Sequence, residues 1–85
     1  MLYRINTEDL NRGTIESIVS AKFQGFSVLD QVGFWQGARE SSLAIEIETE
    51  ETRQDDVLTI AAQIKAANNQ QAVLVQRINT NSYLV

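Results

Sequence analysis

The sequence predicts an α+β fold in which four strands form one antiparallel sheet and two helices cover one face of it. Four segments alternate between apolar and polar residues, which is the period of a half-buried strand. Two other segments carry apolar residues every three or four positions, which is the period of an amphipathic helix. The 85 residues contain no Pro, no internal repeat and no low-complexity run, so residues 1–85 are predicted to form a single domain.

A first strand is predicted over residues 2–6, where apolar and polar residues alternate. The helix that follows is expected to begin near Asn11 or Thr14. Gly25 is predicted to end this helix, because glycine adopts the left-handed conformation of a helix C-cap without strain. The apolar stripe of this helix consists of Ile15, Ile18, Val19 and Phe23.

The second and third strands are predicted to form an antiparallel hairpin over residues 26–36 and 42–48. A short reversal over residues 37–40 joins them. Gly33 lies in the middle of the second strand, which indicates a bulge or a close backbone approach. The alternation in the third strand points one set of side chains toward the helices, namely Leu43, Ile45 and Ile47.

The second helix is predicted to start with Thr52 and Asp55 in a capping-box arrangement and to end at Asn68-Asn69. Its apolar stripe consists of Val57, Ile60, Ala61 and Ile64. The last strand is predicted over residues 72–78. Residues 79–85 are interpreted as a C-terminal tail or an extra strand.

Each predicted helix has a single apolar stripe, so both are expected to cover the same face of the sheet, which is the ferredoxin-like plan. The other face, called the open face below, then has no layer over it. A contiguous apolar patch on such a face marks a binding surface, whereas single exposed apolar residues are common on monomers. The residues predicted to contact another copy there are Leu29, Trp35, Ala44, Glu46, Leu74 and Ile78.

The small size of the chain favours self-association. A domain of 85 residues buries only about 60–65% of the surface that its unfolded chain exposes. Small domains therefore often gain stability from disulfides, a metal or a partner chain. The chain has no Cys and no His, which excludes disulfides and zinc-type sites. We therefore expect a homo-oligomer, a dimer or a trimer, that holds no cofactor and no metal.

Charge and hydropathy argue against two other classes of partner. The net charge is −4, and the seven Lys and Arg residues are scattered along the chain, whereas nucleic-acid binders cluster them. The chain has no apolar run long enough to span a membrane and no signal-peptide layout at its start. We expect a cytoplasmic protein that binds neither nucleic acid nor membrane.

The most function-like cluster surrounds the predicted hairpin turn and consists of Trp35, Gln36, Arg39 and Glu40. A Trp beside an Arg and a Glu can bind a small ligand or a protein partner. The alternative is that Trp35 packs in an oligomer interface and that Arg39 and Glu40 only flank the turn. RNA-binding domains of this fold stack bases on aromatic side chains, but Trp35 is the one aromatic residue predicted on the open face, among carboxylates.

Catalysis has little support in the sequence. Four carboxylates lie on or beside the hairpin, and paired carboxylates can perform acid–base chemistry or hold Mg²⁺ or Ca²⁺. The alternative is a solvated strand face or ion pairs with Arg. There is no Cys or His to activate or replace a Ser nucleophile, so the chain is not predicted to be an enzyme. The four carboxylates are Asp30, Glu40, Glu46 and Glu48.

Several short motifs resemble those of small uncharacterised bacterial and phage domains of the PII-like and CutA-like group. They are the stretch 26–30, Gly33-x-Trp35-x-Gly37, Glu40-x-Ser42-Leu43-x-Ile45, and Gln70-x-Ala72-Val73-Leu74-Val75. The resemblance implies a ferredoxin-like fold and a trimer whose sheets pack around a central axis. It also implies an alternative function as a sensor that binds a small ligand in clefts between subunits.

Overall fold

The computed structural model describes residues 1–85 and contains four strands and two helices in the order βαββαβ. The strands are β1 (Leu2–Glu8), β2 (Ser27–Trp35), β3 (Ala38–Glu48) and β4 (Leu74–Ile78). The helices are α1 (Arg12–Ser20) and α2 (Gln54–Ala67), and a 3₁₀ turn over Glu51–Arg53 precedes α2. The four strands form one antiparallel sheet in the order β2-β3-β1-β4, which confirms the predicted α+β, ferredoxin-like fold.

The strand register separates the two faces of the sheet. Ile5 lies opposite Ile45 on β3 and Val75 on β4, and all three point toward the helices. Both helices bury their apolar stripes on this face, so the core contains residues from α1, α2 and the two central strands. The core cluster comprises Tyr3, Ile5, Ile15, Val19, Phe23, Leu43, Ile45, Ile47, Val57, Ile60, Ala61 and Ile64. Twelve buried apolar residues make a small core for a chain of this length.

The hairpin of β2 and β3 is longer than predicted and protrudes from the sheet. The turn consists of Gln36 and Gly37 alone, with φ of 50° and 80°, so the predicted reversal over residues 37–40 is wrong. Positive φ at both central positions gives a turn whose twist matches the strands, and glycine adopts it without strain. Since β1 pairs with β3 only up to Ser42, residues 32–41 extend as a two-stranded ribbon, called the arm below.

Neither the bulge nor the close backbone approach that was predicted at Gly33 is present. Pairing between β2 and β3 continues without interruption from Ser27 to Trp35, and Gly33 lies opposite Glu40. A Cβ atom on Gly33 would lie 3.6 Å from the Ser42 hydroxyl oxygen, which is an ordinary contact. The backbone of β2 is therefore regular along its whole length.

The helix ends differ from prediction in two places. α1 ends at Ser20, and Gly25 does not adopt positive φ. The backbone N–H groups of Lys22 and Phe23 both donate to the Val19 carbonyl. This carbonyl at the helix end therefore has hydrogen-bond partners without a residue in the left-handed conformation. Thr52 does not cap α2, because it lies inside the 3₁₀ turn and its hydroxyl faces the Glu50 carboxylate.

At the other end of α2 the prediction holds, since Asn69 has a left-handed φ of 53°. β4 begins at Leu74, two residues later than predicted. Residues 79–85 form no strand, and Tyr83, Leu84 and Val85 are exposed. None of the helices combines the length and the apolar character that crossing a membrane would require.

Candidate functional site

The arm carries three exposed apolar side chains, two of them aromatic. The exposed fractions are 51% for Val32, 72% for Phe34 and 66% for Trp35. Val32 and Phe34 project on the helix side of the sheet, but they lie beyond the reach of both helices. Trp35 projects on the open face, as predicted from its position in the alternation.

A cleft of about 560 Å³ lies between the arm and the loop that joins α2 to β4. Its polar lining residues include five that bear amides, from β1, β2 and the loop, together with Thr7 and Ser42. Its apolar lining residues are Phe34, Trp35, Ala72 and Leu74. The amide-bearing residues are Asn6, Gln31, Asn69, Gln70 and Gln71.

Hydrogen bonds between amides fix one wall of this cleft. Gln31 Nε2 donates to Asn6 Oδ1 at 3.0 Å, and Asn6 Nδ2 donates to Gln76 Oε1 at 3.1 Å. These two bonds link side chains of β2, β1 and β4 across the open face. On the helix side, Gln70 Nε2 donates to the buried Thr7 hydroxyl at 2.6 Å, which attaches the α2–β4 loop to β1.

The cleft has carboxylates and no cation among its lining residues. Glu8 and Glu40 are its two charged residues, and neither lies within ion-pair distance of a Lys or Arg. Glu40 is half-buried. An anionic group such as a phosphate would therefore meet only like charge here.

Elsewhere on the surface, most charges are paired. Arg12 lies between Asp9 and Asp30, at 2.8 and 2.6 Å, and the hydrogen bonds that it donates to these carboxylates raise the pKa of Arg12 further above its ordinary value. The hydrogen bond from the Thr80 hydroxyl lowers the pKa of Glu48, and the chain's amino terminus adds to this effect. Arg39 and Lys65 are the two cations without an ion-pair partner.

The four residues predicted as a ligand or partner site do not all meet. Trp35 and Glu40 both line the cleft, whereas Gln36 and Arg39 do not. Gln36 occupies the exposed turn, and Arg39 lies opposite Phe34 on the helix side of the arm. Successive strand residues alternate between faces, so Arg39 and Glu40 necessarily project on opposite sides.

The residues predicted at an oligomer interface differ in what they offer to a partner. Leu29 and Leu74 are 42% and 59% exposed, Trp35 is also exposed, and Ile78 is half-buried. Ala44 is only 4% exposed and offers almost no surface. Glu46 accepts two hydrogen bonds from Arg4, at 2.7 and 3.0 Å, within the same chain.

The four carboxylates of the hairpin are separated. Asp30 lies on the helix side and binds Arg12, and Glu46 binds Arg4. Glu48 accepts hydrogen bonds from Thr80 and lies 3.2 Å from the chain's amino terminus. The structure contains no group of three or more residues of the metal-ligating types.

The sequence-based predictions did not include Asn6 or Gln31 as site residues. The run of amides over residues 68–71 was interpreted as a helix cap and turn, with amide contacts to a ligand as the alternative. A run of amides beside a helix end is typical of a cap and a turn, and Asn69 indeed has that role. Nothing in the sequence places this loop beside the arm, because that requires the strand order.

Comparison with known proteins establishes the fold and no more. No protein-family model matches the sequence, and no curated protein does. Among solved structures, a DUF3240 family protein from Shewanella baltica OS155 superposes with a TM-score of 0.76 and 20% sequence identity, covering 99% of this chain and 94% of that one. A de novo designed protein, Foldit4, superposes with a TM-score of 0.55 and 20% identity, covering 94% of each chain. At such identities the likeness shows a shared ferredoxin-like fold, and neither name states an activity.

Proposed function

We propose that this chain is a self-associating interaction module without enzymatic activity. The observation that carries this proposal is the arm, because Val32, Phe34 and Trp35 leave most of their apolar surface uncovered on a ribbon that has no layer over either face. Val32 and Phe34 form an exposed apolar patch on one face of the arm and Trp35 lies on the other, and exposed apolar patches are typical of interaction surfaces. Since the hairpin carboxylates are dispersed, the proposal includes no catalytic role for them.

The surface area of the chain supports the same proposal. Its accessible surface is 5809 Å² at a mass of 9.5 kDa. A monomeric protein of that mass is expected to expose about 5,050 Å². The excess of about 760 Å² is close to the roughly 800 Å² that each partner contributes to a standard interface. Part of the excess comes from residues 79–85, where Thr80 contacts Glu48 but Tyr83, Leu84 and Val85 are exposed.

We expect the contact surface to include the exposed part of the open face as well as the arm. Leu29, Trp35, Leu74 and Ile78 remain the proposed contact residues there, and another copy of the chain is the proposed partner. The absence of Cys is in keeping with a reducing compartment, so a cytoplasmic location belongs to the same proposal.

Light scattering coupled to size-exclusion chromatography tests this proposal directly. The expected result at micromolar concentration is a mass that is twice or three times that of the chain. Replacement of Phe34 and Trp35 by Ser should shift the mass toward that of a single chain without loss of the circular dichroism signal. A stable monomer of the unmodified chain would contradict the proposal.

A second candidate function is that of a small-ligand sensor, and the cleft beside the arm favours it. PII-like and CutA-like proteins, which the sequence resembles, imply such a role. Because the lining has amides, two carboxylates and two aromatic rings but no cation, the cleft suits a neutral or cationic ligand better than a nucleotide. Closure of the cleft by a second subunit would make it deeper.

Trp35 allows a direct test of the second candidate, since it is the only Trp in the chain. Its fluorescence should change when a ligand enters the cleft, and bound ligand should raise the melting temperature. We expect a response to amines or neutral amides that Glu40→Gln weakens and that Glu16→Gln, on α1, does not. A response to nucleotides alone would contradict the expected ligand class.

A further inference from the structure

The outer edge of β2 is long and unprotected. β2 has nine residues and lies at one end of the strand order, so no strand pairs with its outer side. In natural proteins, Lys, Pro, a bulge or a covering segment usually prevents an edge strand from pairing with another chain. β2 contains no Lys or Pro, its register is regular, and its only charged residue, Asp30, is already bound to Arg12.

The hairpin turn determines which backbone groups lie on that edge. A two-residue turn is closed by a hydrogen-bonded pair, here Trp35 and Ala38, and hydrogen-bonded and non-bonded pairs alternate from there. Gly33 therefore directs its N–H and C=O groups toward β3. The N–H and C=O groups of Val32 and Phe34 point outward and are free to pair with another strand.

The side chains around Gly33 are complementary to themselves. In an antiparallel pairing of two β2 edges centred on Gly33, Val32 of each copy lies opposite Phe34 of the other on the helix side. Pairs of aromatic and β-branched residues are among the favourable cross-strand pairs. On the open face, Trp35 of each copy lies opposite Gln31 of the other, and the absence of a side chain at Gly33 leaves room between them.

Other centres of symmetry give poorer partners. A centre at Val32 places Phe34 opposite the carboxylate of Asp30. A centre at Phe34 places Val32 opposite Gln36, which is already in the turn and has left-handed φ. Pairing centred on Gly33 is therefore the register in which apolar residues lie opposite apolar residues and both strands remain extended.

We propose that two copies of this chain pair through the arm ends of their β2 edges about a two-fold axis at Gly33 and so form a continuous eight-stranded sheet. This inference rests on the proposed self-association and names its surface. The interface is isologous, so it closes at two copies and leaves no growing end at β2.

The natural absence of Cys makes a cross-linking test specific, because any disulfide must join introduced residues. Gly33→Cys places the two sulfur atoms in a non-hydrogen-bonded pair, where Cα atoms are about 4.5 Å apart and a disulfide fits. The substitution is sterically tolerated, since an added Cβ meets only the Ser42 hydroxyl at 3.6 Å. Mild oxidation should link most of the Gly33→Cys chains in pairs. Ser27→Cys, at the far end of β2, and Gln76→Cys, on the opposite edge strand, are matched controls that should stay largely unlinked.

A non-covalent variant pair provides a second readout. Phe34→Lys should raise the dissociation constant of the dimer at least about tenfold, whereas Leu58→Lys, at an exposed position of α2 outside the proposed contacts, should change it little. If light scattering shows an oligomer but Gly33→Cys links no better than Gln76→Cys, the β2 pairing is wrong and self-association stands. Dissociation by Leu74→Lys with no effect of Phe34→Lys would overturn the pairing in the same way. A monomer would overturn both proposals.

Discussion

The Gln31 side chain donates a hydrogen bond to Asn6 at 3.0 Å and so connects β2 to β1 across the intervening strand β3. Such a bond requires a small residue beneath it, and Ala44, which lies directly opposite Asn6 on β3, is small. The bond also explains why Ala44 is buried on a face that has no helix over it. Amides rather than apolar side chains therefore cover the centre of the open face.

Asn6 is the residue on which this arrangement depends, because it accepts from Gln31 and donates to Gln76. Asn6→Ala removes both bonds and should lower the free energy of unfolding by about 1–3 kcal/mol, at about 0.5–1.5 kcal/mol for each bond. Gln76→Ala removes one bond and should cost about half as much. Urea denaturation measures both, and equal losses in the two variants would contradict the linked arrangement.

Gln70 is predicted to stabilise the fold through a buried hydroxyl. Thr7 is 4% exposed, and its hydroxyl oxygen accepts from Gln70 Nε2 at 2.6 Å. Gln70→Ala leaves that hydroxyl without its partner and should cost about 1–3 kcal/mol, as measured by urea denaturation. The exposed neighbour Gln71 provides the matched control, since Gln71→Ala should have little effect.

Thr7→Val separates this explanation from a general effect on the loop. Valine has nearly the shape of threonine but no hydroxyl, so Gln70→Ala should cost much less in the Thr7→Val background than in the unmodified chain. Equal costs in the two backgrounds would show that the Gln70 contribution does not pass through Thr7.

Much of the fold was predictable because its signals are local. The alternation of Leu43, Ile45 and Ile47 and the stripe from Val57 to Ile64 correctly identified the buried faces. The errors lie where tertiary contacts replace local preferences. α1 stops at Ser20, before the glycine suited to end it, because Phe23 has turned into the core beneath Arg53.

The site was less predictable because it depends on where strands end relative to one another. Phe34 is adjacent to Trp35, which was predicted on the open face, so its parity alone indicates a residue buried under the helices. Phe34 is exposed because β1 stops at Glu8 while β2 and β3 continue. The sequence does not reveal this difference in strand length, and so it does not reveal the arm.

Glu48 should contribute to the pH dependence of stability. The Thr80 hydroxyl bonds its carboxylate oxygens at 2.8 and 2.9 Å and lowers the pKa of Glu48 below its ordinary value of 4.5. A carboxyl whose pKa is lowered by folding stabilises the fold above its ordinary pKa, and this contribution is lost as the pH falls through the lowered pKa. Glu48→Gln should therefore reduce stability near neutral pH and have progressively less effect as the solution becomes more acidic.

Carbon-detected NMR titration of the Glu48 carboxyl checks the cause of this shift. Thr80→Ala should raise the pKa of Glu48 toward its ordinary value, because the largest contribution to the shift is removed. Asn79→Ala is a neighbouring control that removes no bond to Glu48. An unchanged pKa in Thr80→Ala would refute the assignment.

Arg53 is predicted to couple the two helices through the face of an aromatic ring. Its guanidinium lies 4.1 Å from the centre of the Phe23 ring and donates to the Lys22 carbonyl at 2.8 Å. These contacts join the start of α2 to the segment that follows α1. Arg53→Lys keeps the charge but loses the planar group, and it should lower the free energy of unfolding by about 1 kcal/mol.

A double-mutant cycle with Phe23→Leu isolates the contribution of the ring. Leucine retains an apolar side chain at this buried position but has no aromatic face, so Arg53→Lys should cost less in the Phe23→Leu background, by about 0.5–1 kcal/mol. The remaining cost then measures the hydrogen bond to the Lys22 carbonyl, which does not depend on the ring. Strictly additive effects of the two substitutions would mean that Arg53 acts through this hydrogen bond and its ion pair with Asp56 alone.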